Sequence, residues 1–285
     1  MGRRLAQHFL TDPAILDRIV DALQPEPEDV VIEVGPGKGS LTRRLAPRVG
    51  RVIAIERDEQ LAELLRDPGA GSGEPRPKVA AGDPVMQGVH VVCGDAMEVD
   101  WHRELREAPQ FSAPRSRIPD PRFKVVGNIP YYITTPLIDK ALVPPLPQVI
   151  VFLIQREVAD RLVAKHGNKT YGALTVGVGS VATVERLFIV RPGSFAPPPK
   201  VDSAVVRITP RSEPLLASDE ISDFRRFNTA LFSQRRKQLR RILRSVGRAD
   251  PREIDEKLSQ LDLDPTARPE ELPPETIVEL FRTFS

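Results

Sequence analysis

One apolar run that ends in glycines constrains the possible fold more than any other feature of the sequence. Residues 31–39 read Val-Ile-Glu-Val-Gly-Pro-Gly-Lys-Gly, so a strand-like segment runs straight into three closely spaced glycines. A short apolar run of this kind predicts a strand buried on both faces, as in a parallel sheet that helices cover. Gly35, Gly37 and Gly39 allow a tight turn and the close approach of a ligand, where a Cβ atom would clash.

Similar apolar runs alternate with helical patterns over the first 200 residues. The predicted strands are Val30–Val34, Arg51–Ile55, Val89–Cys93, Phe123–Val126, Val149–Ile154, Leu174–Ile189 (broken or forming a hairpin) and Ser203–Thr209. The predicted helices are Pro13–Leu23, Ser40–Ala46, Glu59–Leu65, Thr135–Leu142 and Arg156–Lys165. This alternation predicts an α/β fold with a doubly wound, Rossmann-like sheet and helices on both faces.

The character of the sequence changes after Pro210. From Ser218 to Ser285 the pattern is helical, with proline breakers and no strand pattern. We therefore predict an α/β domain at residues 1–210 and a small all-helical domain at residues 211–285. Asp67–Gly88 and Pro109–Pro121 are rich in Pro with Gly or Arg, and we expect both to be long surface loops.

Composition excludes several classes of protein. Hydrophobic residues make up 40% and charged residues 28%, which is typical of a soluble globular chain, and no apolar run is long enough to span a membrane. The one cysteine, Cys93, excludes an internal disulfide, so we expect a cytoplasmic protein. Cys93 lies in an apolar run, and we expect it to be a buried, inert thiol. The four histidines are scattered, so we expect no metal site.

Two acidic residues follow the next strands along the chain. Glu56 ends the second strand about 20 residues after the glycines, where an acid can bind ribose hydroxyls. Asp95 follows the third strand and could accept a hydrogen bond from an adenine amino group. Each of these residues alone could serve a turn or a helix cap. Glycine, Glu and Asp at three consecutive strand ends together favour an adenosine-containing cofactor.

A fourth strand end carries residues suited to a reaction. Residues 126–132 read Val-Gly-Asn-Ile-Pro-Tyr-Tyr. The amide of Asn128 can accept a hydrogen bond from an amine and donate another elsewhere, and Tyr131 offers a flat face to a base. A loop with a buried tyrosine is the alternative, and the position after a strand disfavours it.

Several motifs of the chain resemble those of the ribosomal RNA adenine dimethyltransferase family. Residues 128–131 are similar to the Asn/Asp-Pro-Pro-Tyr motif of amino-group methyltransferases. The other matching segments are Gln7–Leu10, Glu33–Gly37, Gln155–Arg161, Tyr171–Val176 and Phe195–Ser203. The resemblance covers essentially the whole chain outside the two predicted loops, and the ordered motifs are specific when taken together. His8 departs from the commonest bacterial pattern, in which asparagine occupies this position.

The resemblance implies a class I methyltransferase fold, S-adenosylmethionine as cofactor and S-adenosylhomocysteine as product. The residues implied to bind the cofactor are Gln7, His8, Leu10, Gly35, Gly37, Glu56, Arg57, Asp95, Ala96 and Asn128. The residues implied to act on the target base are Asn128, Ile129, Pro130, Tyr131 and Phe195. Phe195 could stack on the second face of the adenine or simply anchor the proline-rich segment. The implied substrate is two adjacent adenosines in the 3′-terminal hairpin loop of 16S rRNA, in the small-subunit precursor.

A basic segment points to the RNA partner. Phe224 to Arg252 contains ten Lys or Arg and a single acid, Asp250, whereas the net charge of the whole chain is only +2. An unbalanced basic segment suggests a polyanion partner. A helical pattern across Ser233–Val246 places Leu239, Ile242, Leu243 and Val246 on one face, with Arg236, Arg240 and Arg244 on another. The predicted RNA-binding residues are Arg235, Arg236, Lys237, Arg240, Arg241 and Arg244.

Three alternative functions remain at this point. A methyltransferase of large-subunit RNA, of the macrolide-resistance type, would share the same chemistry. A ribosome assembly factor without catalysis could retain the fold, although the intact motif at Asn128–Tyr131 argues against lost activity. A NAD-dependent dehydrogenase is disfavoured by the glycine spacing. We expect a monomer.

Overall fold

The computed structural model describes residues 7–66, 86–107, 122–246 and 250–285, without the side chains of Val246 and Pro251. The predicted loop Pro109–Pro121 therefore lies outside the described residues. The first nineteen residues of the other predicted loop, Asp67–Gly88, lie outside them as well. Contacts divide the chain into two compact units, residues 1–156 with 186–208 and residues 157–185 with 209–285. The predicted division into functional domains at residue 210 stays a prediction.

The described residues contain nine strands and eleven helices, with 3-10 turns between some of them. The strands are β1 (Phe9–Leu10), β2 (Val30–Val34), β3 (Arg51–Glu56), β4 (Val89–Cys93), β5 (Phe123–Asn128), β6 (Ile150–Gln155), β7 (Ala182–Val190), β8 (Phe195–Ala196) and β9 (Ser203–Pro210). The helices are α1 (Pro13–Ala22), α2 (Thr42–Leu45), α3 (Glu59–Arg66), α4 (Trp101–Glu107), α5 (Thr134–Ala141), α6 (Arg156–Leu162), α7 (Ala173–Gly179), α8 (Ile221–Ser233), α9 (Leu239–Val246), α10 (Pro251–Gln260) and α11 (Pro274–Phe284).

Seven of the described strands form one mixed sheet in the order β4-β3-β2-β5-β6-β9-β7. The first five of these are parallel, and β9 is antiparallel to β6. Val34 pairs with Ile55 on one side and with Gly127 on the other, so β2, β3 and β5 end at the same edge of the sheet. The predicted α/β fold is confirmed, and the strand ends that carry the candidate residues meet at this edge.

The strands are buried on both faces, as the apolar runs predict. Val31 and Ile32 point to opposite faces of the sheet, and both are 0% exposed. Helix α1 covers one face with Leu16 and Ile19, and its start is the predicted one: Asp12 accepts hydrogen bonds from the backbone at the N-terminus. Hydrophobic burial on both faces thus fixes the sheet that carries the site.

A buried ion pair stabilises the opposite end of β2 and β5. Lys124 Nζ lies 2.6 Å from Asp29 Oδ2, and the two side chains are 8% and 5% exposed. Lys124 also donates to the Gln24 carbonyl at 2.6 Å, and the Asp29 carboxylate accepts from the Glu26 backbone at 2.7 Å. Buried charges need such additional partners, because desolvation offsets much of their mutual attraction.

The predicted strand Leu174–Ile189 is wrong in its first half, which forms α7. Leu174, Val176 and Val178 alternate in sequence with smaller residues, and such a short apolar run does not distinguish a strand from a buried helix. Within the second unit, α8 lies against α7: Asn228 donates to the Ala173 carbonyl at 2.8 Å. The tertiary contact with α8 therefore overrides the strand-like pattern.

The predicted helix across Ser233–Val246 is also interrupted. Helix α8 ends at Ser233, residues 234–238 form a turn, and α9 begins at Leu239. Leu239, Ile242 and Leu243 are 0% exposed, so the predicted apolar face is confirmed for these three residues. The five residues of the turn are polar and give a helix no apolar face to bury, and Arg236 therefore does not share a helical face with the arginines of α9.

Cys93 is exposed, which contradicts the expectation of a buried thiol. It is the last residue of β4, and β4 is the outermost strand at one side of the sheet. An apolar neighbourhood in sequence indicates a strand, but strand order decides whether its end is covered.

Candidate active site

A cavity of about 380 Å³ lies at the carboxyl edge of β2, β3, β4 and β5, within the first unit. Every residue predicted to bind the cofactor lines it: Gln7, His8, Leu10, Gly35, Gly37, Glu56, Arg57, Asp95, Ala96 and Asn128. Four of the residues predicted to act on the target base line it as well: Asn128, Ile129, Pro130 and Tyr131. One cavity thus contains both the predicted cofactor-binding residues and most of the predicted catalytic residues. The role of each residue stays a prediction.

The glycine turn after β2 has a conformation that other residues adopt only with strain. Gly35 and Gly37 have φ angles of +67° and +58°. A Cβ atom on Gly37 would lie 2.9 Å from Cε1 of Phe9, so the glycine also makes room for that ring. Glu56 fixes the turn by hydrogen bonds. Its Oε2 atom accepts from the Gly37 backbone N–H at 2.9 Å, and its Oε1 atom accepts from the Asp58 backbone N–H at 2.9 Å.

Glu33 is a buried carboxyl group in the wall of the cavity. Its side chain comes from the middle of the glycine-bearing motif and is 1% exposed. Among the described residues no hydrogen-bond donor reaches its Oε2 atom. Burial raises the pKa of Glu33 to about 7; Thr42 opposes the shift, and the nearby charge of Glu56 adds to it. A carboxyl oxygen that lacks a donor is therefore buried beside the cavity.

Asp95 lines the cavity just beyond the end of β4. Its Oδ1 accepts from the Met97 backbone N–H at 2.9 Å, which fixes the orientation of the carboxylate. Its Oδ2 lies 3.3 Å from Nη1 of Arg57, a side chain that is 60% exposed. An exposed ion pair of this kind contributes little stability, so the carboxylate can exchange it for a ligand.

Asn128 ends β5 with its amide held in one orientation. Its Nδ2 donates to the backbone carbonyl of His8 at 2.9 Å. A carbonyl only accepts, so the nitrogen of the amide must face His8 and Oδ1 must point the other way. The contact joins the N-terminal segment to the loop that carries the candidate reaction motif.

The N-terminal segment itself is held by a short two-stranded sheet that the sequence patterns did not reveal. Strand β1 pairs antiparallel with β8, Phe9 opposite Ala196 and Leu10 opposite Phe195. The His8 ring extends this pairing, because its Nδ1 lies 2.8 Å from the Pro197 carbonyl and must therefore carry the proton. The imidazole thus anchors the segment, and the backbone carbonyl of His8 is the atom presented to Asn128.

Tyr131 lines the cavity, and both its hydroxyl group and its ring contact other residues. Its hydroxyl group lies 2.8 Å from Ser203 Oγ. Its ring and that of His8 are 6.3 Å apart between centroids, with 28° between their planes. Tyr132 beside it also lines the cavity and is 58% exposed, an unusual exposure for a large aromatic side chain.

Phe195 occupies a different place from the other predicted catalytic residues. Its side chain is 5% exposed and belongs to the hydrophobic core with Leu10 and Leu16, and it does not line the cavity. This placement corresponds to the packing alternative. Stacking on a base would require the ring to leave the core.

Sequence reasoning missed two residues of the cavity that carry chemistry, Phe9 and Glu33. Phe9 packs against Gly37, and the ammonium group of Lys38 lies 5.0 Å from the centre of its ring. Both residues lie within the motifs 7–10 and 33–37, whose individual positions were not all given roles. An acid inside an otherwise apolar strand was the available signal for Glu33.

The predicted RNA-binding residues divide into two sets within the second unit. Arg240 is paired with Asp255, and Arg235 Nε lies 3.8 Å from Glu270 Oε2. The others are exposed and form no ion pair with another residue that the structure describes: Arg236, Lys237, Arg241 and Arg244. The second set is available to a polyanion without breaking an existing pair.

The described residues show neither of two further kinds of site. They contain no group of three or more His, Cys, Asp or Glu side chains placed to hold a metal ion. They also contain no helix with the length and apolar character needed to cross a membrane.

The strand order and the cavity at the carboxyl edge of the sheet are those of a class I methyltransferase. Comparison with known proteins gives a narrower assignment. A family model described as "Ribosomal RNA adenine dimethylase" matches residues 2–285. The chain therefore belongs to the ribosomal RNA adenine dimethylase family, a family of methyltransferase enzymes.

Individual relatives agree with this assignment. The chain is 42% identical over 280 residues to the "Probable ribosomal RNA small subunit methyltransferase A" of Pyrobaculum aerophilum, covering 98% of this chain and 97% of that protein. A dimethyladenosine transferase from Plasmodium falciparum has a similar crystal structure, with a TM-score of 0.76, 26% identity and 96% of each chain covered. The 23S rRNA methyltransferase ErmE is also similar, with a TM-score of 0.66, 26% identity and coverage of 97% and 99%.

Proposed function

We propose that the chain dimethylates the exocyclic amino groups of two adjacent adenosines in the 3′-terminal hairpin loop of 16S rRNA, using S-adenosylmethionine. The observation that carries this proposal is the single cavity shared by Asn128–Tyr131 and the acids Glu56 and Asp95. Relatives named for the small subunit reach 42% identity, against 26% for the 23S enzyme, which supports the small subunit as the substrate. A cytoplasmic monomer that acts on the small-subunit precursor is part of the same proposal.

The residues around the cavity fit S-adenosylmethionine. This cofactor carries ribose hydroxyls, an adenine amino group and two positive charges, all of which favour carboxylates as partners. Three acidic residues line the cavity, Glu33, Glu56 and Asp95, and the Glu33 Oε2 atom is buried without a donor. Glu56 would hold the ribose hydroxyls and Asp95 the adenine amino group, with Gly35 leaving space for close approach.

The remaining predicted cofactor residues frame these contacts. Gln7, His8 and Leu10 come from the N-terminal segment, which the pairing of β1 with β8 holds over the cavity. Arg57 and Ala96 lie beside the two acids at the ends of β3 and β4. When bound, S-adenosylmethionine supplies an electrophilic methyl group on a sulfonium centre.

The task of this chain's residues is to orient a weak nucleophile. The lone pair of an adenine amino group is delocalised into the ring, so the amine must be held in a geometry that localises it. Asn128 Oδ1 and the Ile129 carbonyl would accept its two hydrogens. Asn128 suits this role because its Nδ2 already donates to His8, which leaves Oδ1 to accept. Positioning of this kind can lower a barrier by several kcal/mol.

The target base must leave its stack to reach the cavity. Tyr131 would stack on the extruded adenine, and the contact between its hydroxyl group and Ser203 keeps the ring in place. Pro130 restricts the backbone between the amide and the ring. No strong base is required before transfer, because the amine proton becomes acidic once the nitrogen is methylated and can pass to water.

The basic residues of the second unit would bind the RNA backbone. Arg236, Lys237, Arg241 and Arg244 are exposed and can contact phosphates directly. Such contacts make affinity depend strongly on salt and carry little sequence information. The choice of adenosine would then come from the base pocket and from the shape of the RNA.

The test is methyl transfer to purified ribosomal particles. The protein is incubated with labelled S-adenosylmethionine and small subunits that lack adenine dimethylation, with large-subunit particles in parallel, and the label is mapped by mass spectrometry. Dimethyladenosine in the 3′-terminal hairpin is the expected result. Label in the large subunit would show that the protein has the resistance-type activity instead. Cofactor binding without label in either subunit would favour an assembly factor.

Replacement of Asn128 by alanine provides the internal control. We expect Asn128→Ala to abolish turnover and to retain much of the affinity for S-adenosylmethionine, measured by calorimetry. Equal loss of turnover and cofactor affinity would contradict the role given to this amide.

A further inference from the structure

The second unit exposes a basic loop that the sequence patterns did not single out. Residues 165–169 read Lys-His-Gly-Asn-Lys, with no acid among them, and all five are exposed. The loop lies between α6 and α7, about 70 residues before the basic turn at 234–238 in the sequence. Distance along the chain conceals any relation between the two segments.

The side chain of Arg235 braces this loop, that is, it holds the backbone of the loop by a hydrogen bond. Its Nη1 donates to the Lys169 carbonyl at 3.0 Å. Its Nε faces the Glu270 carboxylate, and the backbone carbonyl of Glu270 accepts from the Gly167 N–H at 2.7 Å. Two backbone atoms of the loop are thus held by two residues that are themselves paired.

This bracing brings the loop cations next to the basic turn. Arg235 contacts the Lys169 backbone, and Arg236 and Lys237 are the next two residues along the chain. Lys165, Lys169, Arg236 and Lys237 are all exposed, and the hydrogen bond of Arg235 places their two segments side by side. Like charges gathered on a fixed backbone repel each other and are stabilised by a polyanion.

We propose that residues 165–169 form one phosphate-binding surface with Arg236 and Lys237, and that Arg235 acts by bracing the loop and does not itself contact phosphate. The partner is the phosphate backbone of structured RNA. The identity of that RNA rests on the function proposed above, whereas the surface itself is tested by binding alone. Arg235 is accordingly a positioning residue, which revises its predicted role as a direct RNA ligand.

The experiment measures binding of the full chain to small ribosomal subunits that lack adenine dimethylation, at several salt concentrations. Removing two phosphate contacts should weaken the salt dependence, so that the slope of log affinity against log salt becomes less negative by about 1.5. Binding should also weaken by about tenfold at moderate salt. We expect this result for Lys165→Ala/Lys169→Ala. The charge-retaining variant Lys165→Arg/Lys169→Arg should bind as the unchanged protein does.

A second variant separates bracing from direct contact. Arg235→Ala alone should weaken binding, but added to Lys165→Ala/Lys169→Ala it should cause no further loss and no further change of slope, because the lysines that it positions are gone. If Arg235→Ala caused a further loss of affinity and a further weakening of the salt dependence, Arg235 would contact phosphate, and this result would overturn the proposal.

Two controls keep the outcomes distinct. Lys257 forms an ion pair with Glu253 at 2.9 Å, so Lys257→Ala should leave the salt slope unchanged. Methyl transfer is measured on the same subunits. Loss of binding in the lysine variants without any methylation by the unchanged protein would leave this surface standing and refute the proposed reaction. Normal methylation with unchanged binding in the lysine variants would refute the surface alone.

Discussion

Replacing Glu33 with glutamine should make the protein more stable at neutral and alkaline pH. The carboxyl group is 1% exposed and its Oε2 has no donor among the described residues, so its ionised form is poorly solvated. Glutamine has nearly the same shape and carries no charge. The variant therefore removes the ionisation and retains most of the packing.

The magnitude follows from the pKa of this group. Burial raises the pKa of Glu33 from its ordinary value of 4.5 to about 7. Between these values the folded protein keeps the proton while the unfolded chain has lost it, so stability falls as the pH rises, and the loss is complete above about 7. Since a tenfold difference in proton affinity corresponds to about 1.4 kcal/mol, the loss amounts to about 3 kcal/mol.

The assay is urea unfolding of the protein and of Glu33→Gln between about pH 5 and about pH 8, without cofactor. The difference in the free energy of unfolding between the two proteins isolates Glu33 from all other titrating groups. Because part of the loss already occurs below about pH 5, it should grow in favour of the variant by about 2.5 kcal/mol across this range. The exposed Glu213 supplies a matched control, and Glu213→Gln should follow the unchanged protein throughout.

One outcome would refute this reasoning. If the difference between Glu33→Gln and the unchanged protein stayed constant with pH, Glu33 would not hold its proton in the folded state. The carboxylate would then be solvated in the folded protein, by water or by a hydrogen-bond donor.

Three further predictions follow from single contacts. Asn128→Asp keeps an accepting oxygen but cannot donate to the backbone carbonyl that Asn128 now holds, so kcat should fall by at least tenfold, measured by methyl transfer under saturating cofactor. Gly37→Ala places a Cβ atom 2.9 Å from the Phe9 ring at a φ of +58°, so it should destabilise the fold by about 1–2 kcal/mol and weaken cofactor binding in calorimetry. Lys124→Met leaves Asp29 buried without its cation and should lower the free energy of unfolding by about 3–5 kcal/mol; recovery in Lys124→Met/Asp29→Leu would confirm that the unpaired charge is the cause.

The sequence by itself determined the α/β fold and the place of the site. Strands such as Val30–Val34 are apolar at every position but one, and a strand buried on both faces has this pattern wherever it lies in the chain. Parallel strands end at one edge of the sheet, so residues that follow them, such as Gly35, Glu56 and Asp95, converge in space whatever the details of packing. The predicted cofactor residues therefore line one cavity.

Local patterns failed where neighbours distant in sequence decide the outcome. The segment that became α7 reads as a strand, because only its contact with α8 selects the helix. The exposure of Cys93 depends on the position of β4 in the strand order. Pairs as short as β1 and β8 have too few residues to show any period, although they hold the N-terminal segment over the cavity.

Only the tertiary structure decided how individual side chains are used. Composition and spacing identify Asn128, Phe195 and Arg235 as candidate site residues, but they do not show which atoms contact them. Asn128 is oriented by a carbonyl 120 residues away, Phe195 is buried by core residues around β1, and Arg235 is held by a loop 66 residues earlier. Hydrogen bonds and desolvation act over a few ångströms in space, irrespective of separation along the chain, and a linear sequence does not display those distances.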